Sequence, residues 1–252
     1  VNDEAETTPP RERRRGIYLL PNLFTTGALF AGFYGIIAAF EGQFTAAAVA
    51  IFVAMILDGV DGRVARMTQT QTAFGAEYDS LADMVSFGVA PAIIIYLWAL
   101  SGLGQLGWVV AFFYAAATAL RLARFNVKAG SSDKRFFQGL PSPSAAAVLM
   151  GMVWVWNELG FAGQDLVLLA LLLTVLSGAA MVSNLTYFSF KDMDFRHRVP
   201  FFVVLGMLFA VMLTALDPPK VLWTGFLIYA LSGPGLALLR WRRKRMLRAG
   251  GD

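Results

Sequence analysis

The sequence predicts an all-α, polytopic integral membrane bundle of about eight transmembrane helices with both termini cytoplasmic. Three observations carry this expectation. Hydrophobic residues make up 57% of the 252 positions and the mean hydropathy is +0.59, too apolar for an ordinary soluble domain. Runs of about 20 apolar residues, enough to cross a bilayer core, recur along the whole chain. Of the 21 basic residues, 20 fall at one set of helix ends, and an excess of Lys and Arg marks cytoplasmic connections.

The elements follow in order. Residues 1–10 are polar, acidic and proline-ending, and read as a disordered tail. No signal peptide is visible, and the missing initiator Met is what a trimmed start would leave. Residues 11–248 are expected to form a single transmembrane domain. Its first stretch, 11–20, carries Arg11, Arg13, Arg14 and Arg15 and reads as a basic, amphipathic juxtamembrane segment on the anionic inner leaflet. Spans are expected at 17–40, 44–66, 76–100, 105–127, 142–158, 165–184, 199–215 and 220–240. Arg63 and Arg66 end the second span. Gly102, Gly104 and Gly107 mark an outer turn after the third. Arg121, Arg124, Lys128, Lys134 and Arg135 surround the loop after the fourth, which closes at Gly139-Leu140-Pro141. Lys191, Arg196 and Arg198 follow the sixth, and a basic run from Arg240 to Arg248 closes the eighth. The opposite ends carry Glu41, Glu158, Asp165 and Asp217, with Lys220 as their one base. An odd number of spans would put basic loops on both sides, so the charge pattern supports an even count.

Composition excludes several chemistries. The chain has no cysteine, so disulfide and thiolate chemistry are absent. His197 is the sole histidine, which rules out a multi-histidine metal site. Nothing points to a nucleic-acid partner.

Four acids stand against this apolar background. Asp58 and Asp61 are three residues apart, and Asp79 and Asp83 are four apart. On helices, each spacing places two carboxylates on one face, a turn apart. A charged side chain in a membrane segment costs roughly 2.5–3.5 kcal/mol on insertion scales. Two arginines, Arg63 and Arg66, cannot compensate four acids. One or two divalent cations can, and hard cations take all-oxygen ligands. Carboxylate-bridged metals at a cytoplasmic helix end lie at the depth of a lipid pyrophosphate, where they can clamp it and stabilise a leaving phosphate. Gly62 and Ala65 lack bulk, so a nucleotide can approach the second span; Gly75 opens the start of the third. Arg66 has the planar fork that suits a phosphate oxygen. Helix packing is the other reading of the small residues.

Asp58, Asp61, Gly62, Ala65, Arg66, Gly75, Asp79 and Asp83 together fill the pattern Asp-x2-Asp-Gly-x2-Ala-Arg-x8-Gly-x3-Asp-x3-Asp. The sequence closely resembles the CDP-alcohol phosphotransferases in this signature. The stretches from Asp79 to Pro91, Arg121 to Asn126, Phe137 to Pro143 and Met181 to Lys191 are similar to its phosphatidylserine synthase branch. The resemblance covers residues 11 to 200, and the last two spans carry no motif.

The resemblance implies a reaction and a set of roles. The phosphatidyl group of CDP-diacylglycerol would pass to the hydroxyl of L-serine, giving phosphatidylserine and CMP, with Mg2+ or Mn2+ bound, two ions in all. Asp58, Asp61 and Asp79 would be metal ligands, and Asp83 a ligand or the catalytic base. Asn22 and Thr25, in Pro21-Asn22-Leu23-Phe24-Thr25, would lie by the nucleotide with Gly62, Ala65, Arg66 and Gly75; a helix cap is the other reading of Asn22. For the serine, the candidates are Arg121, Arg124 and Asn126 at the end of the fourth span, with Arg135, Ser86 and Ser142. Interfacial arginines also simply snorkel. The expected setting is the cytoplasmic membrane of a prokaryote, with membrane phospholipids around the protein and the site on the cytoplasmic side by the charge pattern; a homodimer is expected only because symmetric oligomers are common. Two alternatives stay open: another acceptor such as glycerol 3-phosphate or inositol phosphate, and an ion-coupled transporter. The clustering of the acids on one side speaks against the transporter.

Overall fold

The computed structural model describes residues 19–68, 72–128, 136–188 and 201–249. The tail at 1–10, most of the 11–20 segment, Arg135 and His197 lie outside them. The described chain is an all-α bundle. Its helices are α1 (Leu19–Phe40), α2 (Phe44–Thr68), α3 (Ala73–Asp83), α4 (Ala90–Ile95), α5 (Gln105–Lys128), α6 (Ser142–Glu158), α7 (Val167–Val182), α8 (Phe201–Leu216) and α9 (Pro218–Ala249). Two π-helical segments, Met84–Val89 and Tyr96–Leu100, and a final 3-10 turn, Ser101–Leu103, join α3 and α4 into one rod.

Six helical segments among the described residues are long and apolar enough to cross a membrane: Asn22–Phe40, Phe44–Val64, Ala73–Leu103, Gln105–Val127, Gly163–Val182 and Pro218–Leu239. They identify a polytopic integral membrane protein. The expected fifth and seventh spans are helices as well, but shorter, with 17 residues in α6 and 16 in α8.

Burial explains why α6 can be short. Its residues Ser144 to Val153 are all buried, and Ala145, Ala146, Ala147 and Gly151 keep its girth small. Helices α2, α7 and α9 pack around it. A helix apolar on every side is a core helix, and small side chains let neighbours approach closely where lipid offers no hydrophobic drive. Gly151 shows the effect: an added Cβ would come within 2.9 Å of the Trp223 ring on α9. By contrast, Leu208, Phe209, Val211 and Leu216 of α8 are exposed, as suits a helix that faces lipid.

Helices α1 and α2 form an antiparallel hairpin. Gly42 turns it with φ +75, and the amides of Gly42 and Gln43 donate to the carbonyls of Ala39 and Ala38. That left-handed position after a helix end is the one glycine adopts without strain. The hairpin places Asp58 and Asp61, near the end of α2, beside the start of α1.

The wide turn after Asp83 has its own support. The buried Ser86 hydroxyl donates to the Ala28 carbonyl of α1 at 3.0 Å, and Tyr114 of α5 donates to the Phe87 carbonyl at 3.1 Å. The Tyr114 hydroxyl thus serves a carbonyl in a segment where the α-helical ladder is interrupted, and Ser86 ties that segment to α1.

One feature departs from the all-helical expectation. Residues expected as loop form two short antiparallel strands, β1 (Phe136–Gln138) and β2 (Thr186–Phe188), with Phe137 opposite Tyr187. The ends of α5, α6 and α7 bring both connections together, and paired backbone groups are cheaper than unpaired ones at the membrane edge. The pairing continues into Gly139, whose amide donates to Leu185 at 2.8 Å. Gly139 has φ +83, and a Cβ there would lie 2.2 Å from the Met181 carbonyl oxygen, so no other residue fits.

Candidate active site

The two pairs of aspartates meet in space. Asp58 and Asp61 stand one turn apart on α2, and Asp79 stands on α3. One carboxylate oxygen from each lies within 4.8 Å of the other two. Asp61 is buried, and the other two are half-buried. Asp83, a turn beyond Asp79, has its carboxyl within hydrogen-bond reach of Asp58 and in the field of Asp79 and of the Arg121 guanidinium. Carboxyl groups this close require a proton or a cation between them. Three converging hard-oxygen donors fit a divalent cation.

Nearby hydroxyls fix the acids. Thr25, buried on α1, donates to Asp61 Oδ2 at 2.7 Å. Thr72 caps α3 by accepting from the Gly75 amide at 2.9 Å, and the Thr26 and Tyr78 hydroxyls are 2.9 Å apart. These contacts bring the start of α3 against the start of α1. A Cβ on Gly75 would lie 3.5 Å from Asn22 Oδ1, so Asn22 and Gly75 adjoin. A Cβ on Gly62 would meet nothing within 4 Å among the described residues. Close helix packing therefore does not account for that glycine. Ala65 and Arg66 continue α2, and their side chains lie outside the described set.

The residues expected around an acceptor divide into two groups. Arg121 comes to the aspartates: its Nη1 donates to Ser142 Oγ at 2.7 Å, and its charge faces Asp83. The others are engaged elsewhere. Ser86 is buried and tied to α1. Asn126 donates to Ser80 Oγ at 3.0 Å. Arg124 spreads its fork over backbone carbonyls, with Nη2 to Gln138 at 2.9 Å and to Met181 at 3.0 Å, and Nη1 to Val182 at 3.0 Å. It thereby neutralises the C-terminal end of α7 and ties that end to β1. Lysine has no such fork. Arg124→Lys is therefore expected to lower stability by about 1–3 kcal/mol, read as a fall in Tm in detergent.

Residues that no motif revealed also adjoin the site. Thr26 and Tyr78 pair at the α1–α3 contact, and Tyr229 of α9 lies within electrostatic reach of Arg121. Tyr229 lies in an apolar run where aromatic residues are common, and Tyr78 stands between Glu77 and Asp79 outside any pattern of its own, so the sequence held no signal for either.

Comparison with known proteins bears on this geometry. The family model of the CDP-alcohol phosphatidyltransferases matches residues 18–177, from the start of α1 into α7. The CDP-diacylglycerol–serine O-phosphatidyltransferase of Helicobacter pylori is 39% identical over 215 residues, which cover 85% of this chain and 90% of that one. The enzyme of the same name from Mycobacterium tuberculosis is 41% identical over 157 residues, covering 60% of this chain and 54% of that one. The Saccharomyces cerevisiae enzyme of that name is 37% identical over 139 residues, half of each chain. The matched region holds the three converging aspartates, Asp83 beside them and the helices that position them, and the chain belongs to the CDP-alcohol phosphatidyltransferase family.

Proposed function

We propose that the protein transfers the phosphatidyl group of CDP-diacylglycerol to the hydroxyl of L-serine, giving phosphatidylserine and CMP. The convergence of Asp58, Asp61 and Asp79, with Asp83 alongside, is the observation that carries the chemistry. The serine acceptor rests on the relatives that bear that name and on an arginine beside Asp83.

Asp58, Asp61 and Asp79 would hold the divalent metal, Mg2+ or Mn2+, two ions in all, with Asp83 beside them as the base. The metal, when bound, neutralises the pyrophosphate and stabilises the charge on the departing phosphate. The chain's own groups do the rest. Asn22, Gly62, Ala65, Arg66 and Gly75 leave room for the nucleotide and contact it, while Thr25 aims Asp61 and borders the same space. Asp83 takes the proton of the serine hydroxyl as its oxygen bonds to the lipid-side phosphorus. The bond from that phosphorus to the CMP oxygen breaks, and CMP leaves with the electron pair. Arg121, braced by Ser142, receives the serine carboxylate. Arg124, Asn126 and Ser86 shape this end from behind, and Arg135, which lies outside the described residues, is a further candidate for the carboxylate.

In this reading residues 11–248 are one catalytic domain with eight crossings. Both termini and the site face the cytoplasm of a prokaryote, and the protein works as a homodimer among membrane phospholipids. The basic ends of α2 and α5 stand at the same end of the bundle as the aspartates, which supports that orientation.

The test is acceptor-dependent CMP release. Purified protein in lipid nanodiscs with CDP-diacylglycerol should release CMP and label lipid with L-serine, but not with glycerol 3-phosphate or inositol phosphate. EDTA should abolish the reaction and excess Mg2+ or Mn2+ restore it. Lipid labelling by a phosphorylated alcohol alone would overturn the serine assignment. Thr25→Val removes the hydroxyl that orients Asp61. It should weaken divalent affinity by about 10–100-fold, the usual cost of losing such a partner, read as a higher Mn2+ concentration for half-maximal activity.

A further inference from the structure

The matched family region ends at residue 177, yet α9 reaches the acceptor side of the site. Helices α6 and α9 run antiparallel, with Gly151 seated against Trp223. Nearly two turns further toward the aspartates on α9 stands Tyr229, half-buried, opposite the N-terminal turns of α6 where Ser142 holds Arg121. The Tyr229 phenol and the Arg121 guanidinium lie within electrostatic reach of each other. Tyr114 reaches the same guanidinium, but it is fully buried and its hydroxyl is committed to Phe87.

Tyr229 is held in place by a built-in break in α9. Pro234 has no amide hydrogen, so the Ala230 carbonyl, four residues earlier, loses its helical donor. The buried Tyr187 hydroxyl of β2 replaces it, donating to Ala230 O at 3.2 Å. Burial pushes the Tyr187 phenol up to about 12, so it remains a neutral donor at any physiological pH. Gly233 makes room for that ring: a Cβ there would fall 2.3 Å from Tyr187 Cζ. The rings of Tyr187 and Tyr229 then pack with centroids 5.7 Å apart.

We propose that Tyr229 is a specificity-determining residue of the acceptor pocket. With Arg121 it receives the carboxylate of an amino-acid acceptor, and Tyr187, seated on the Pro234 break, is the positioning residue that keeps it there. This rests on the serine-transfer reading and assigns that reading a residue from a helix outside the matched region.

The experiment compares Tyr229→Phe with the parent protein in nanodiscs, using L-serine and L-serinamide, which lacks the carboxylate, as acceptors. Tyr229→Phe should raise the L-serine KM about five- to tenfold, with kcat and the CDP-diacylglycerol KM nearly unchanged. The preference for L-serine over L-serinamide should shrink by the same factor. An unchanged donor KM certifies the fold. An unchanged L-serine KM, or an unchanged preference over serinamide, overturns the proposal. Tyr187→Phe should raise the L-serine KM similarly, and adding Pro234→Ala should reverse the rise, because alanine returns an amide to Ala230. Equal KM values in the single and double variants would overturn the positioning role. Serine turnover in Asp83→Asn bears only on the underlying reading, so the two failures are distinguishable.

Discussion

Asp79→Asn is expected to lose both divalent-ion binding and turnover, with activity falling by about 10³-fold or more, the scale on which phosphoryl transfer depends on its charge-stabilising groups. The substitution keeps shape and volume, so the fold should survive. It removes one of three converging oxygen anions, and the neutral amide left among Asp58, Asp61 and Asp83 cannot replace that charge. Asp58→Asn should behave alike, because its carboxylate touches both Asp83 and the cluster. Mn2+ titration followed by electron paramagnetic resonance reads the binding loss directly. Wild-type Mn2+ affinity in both variants would remove these acids from the metal site.

Asp83→Asn is expected to separate binding from chemistry. Without a proton acceptor, kcat should fall about 10²–10⁴-fold, the usual contribution of a positioned general base. The Asp58, Asp61 and Asp79 triad stays intact in this variant, so Mn2+ binding should change little and the CDP-diacylglycerol KM should hold. Loss of tight Mn2+ binding in Asp83→Asn would instead make Asp83 a ligand first. Full turnover would reject its role as base. The contrast between Asp79 and Asp83 is sharp because they sit one turn apart on one helix face, yet only Asp79 shares the three-oxygen convergence.

The helix pattern and the acids were legible in the sequence for different reasons. Apolar runs of span length leave few alternatives in a membrane, because only helices and closed barrels satisfy every backbone group there. The expected second and fourth spans accordingly end close to α2 and α5. The aspartates stood out because charge in an apolar run is costly and rarely accidental. The acceptor side was harder to read. Arg121 and Arg124 are three residues apart on one helix and look alike in sequence. One faces Asp83, while the other caps α7. Which arginine does which depends on where the end of α7 and β1 arrive, and that is a long-range property.

Hydropathy, charge placement and the spacing of four aspartates were therefore enough to establish a helical membrane protein with a cluster of acids suited to a hard cation, since each is a local consequence of residue type and helical period. Packing settled what local patterns could not. It brought Thr25 to Asp61 across 36 residues, shaped the wide turn behind Asp83, and carried Tyr229 from the far end of the chain to Arg121. These contacts arise from small side chains that let helices approach and from the Ala230 carbonyl that Pro234 leaves seeking a donor. Their partners lie far apart in sequence, so only the folded bundle brings them together.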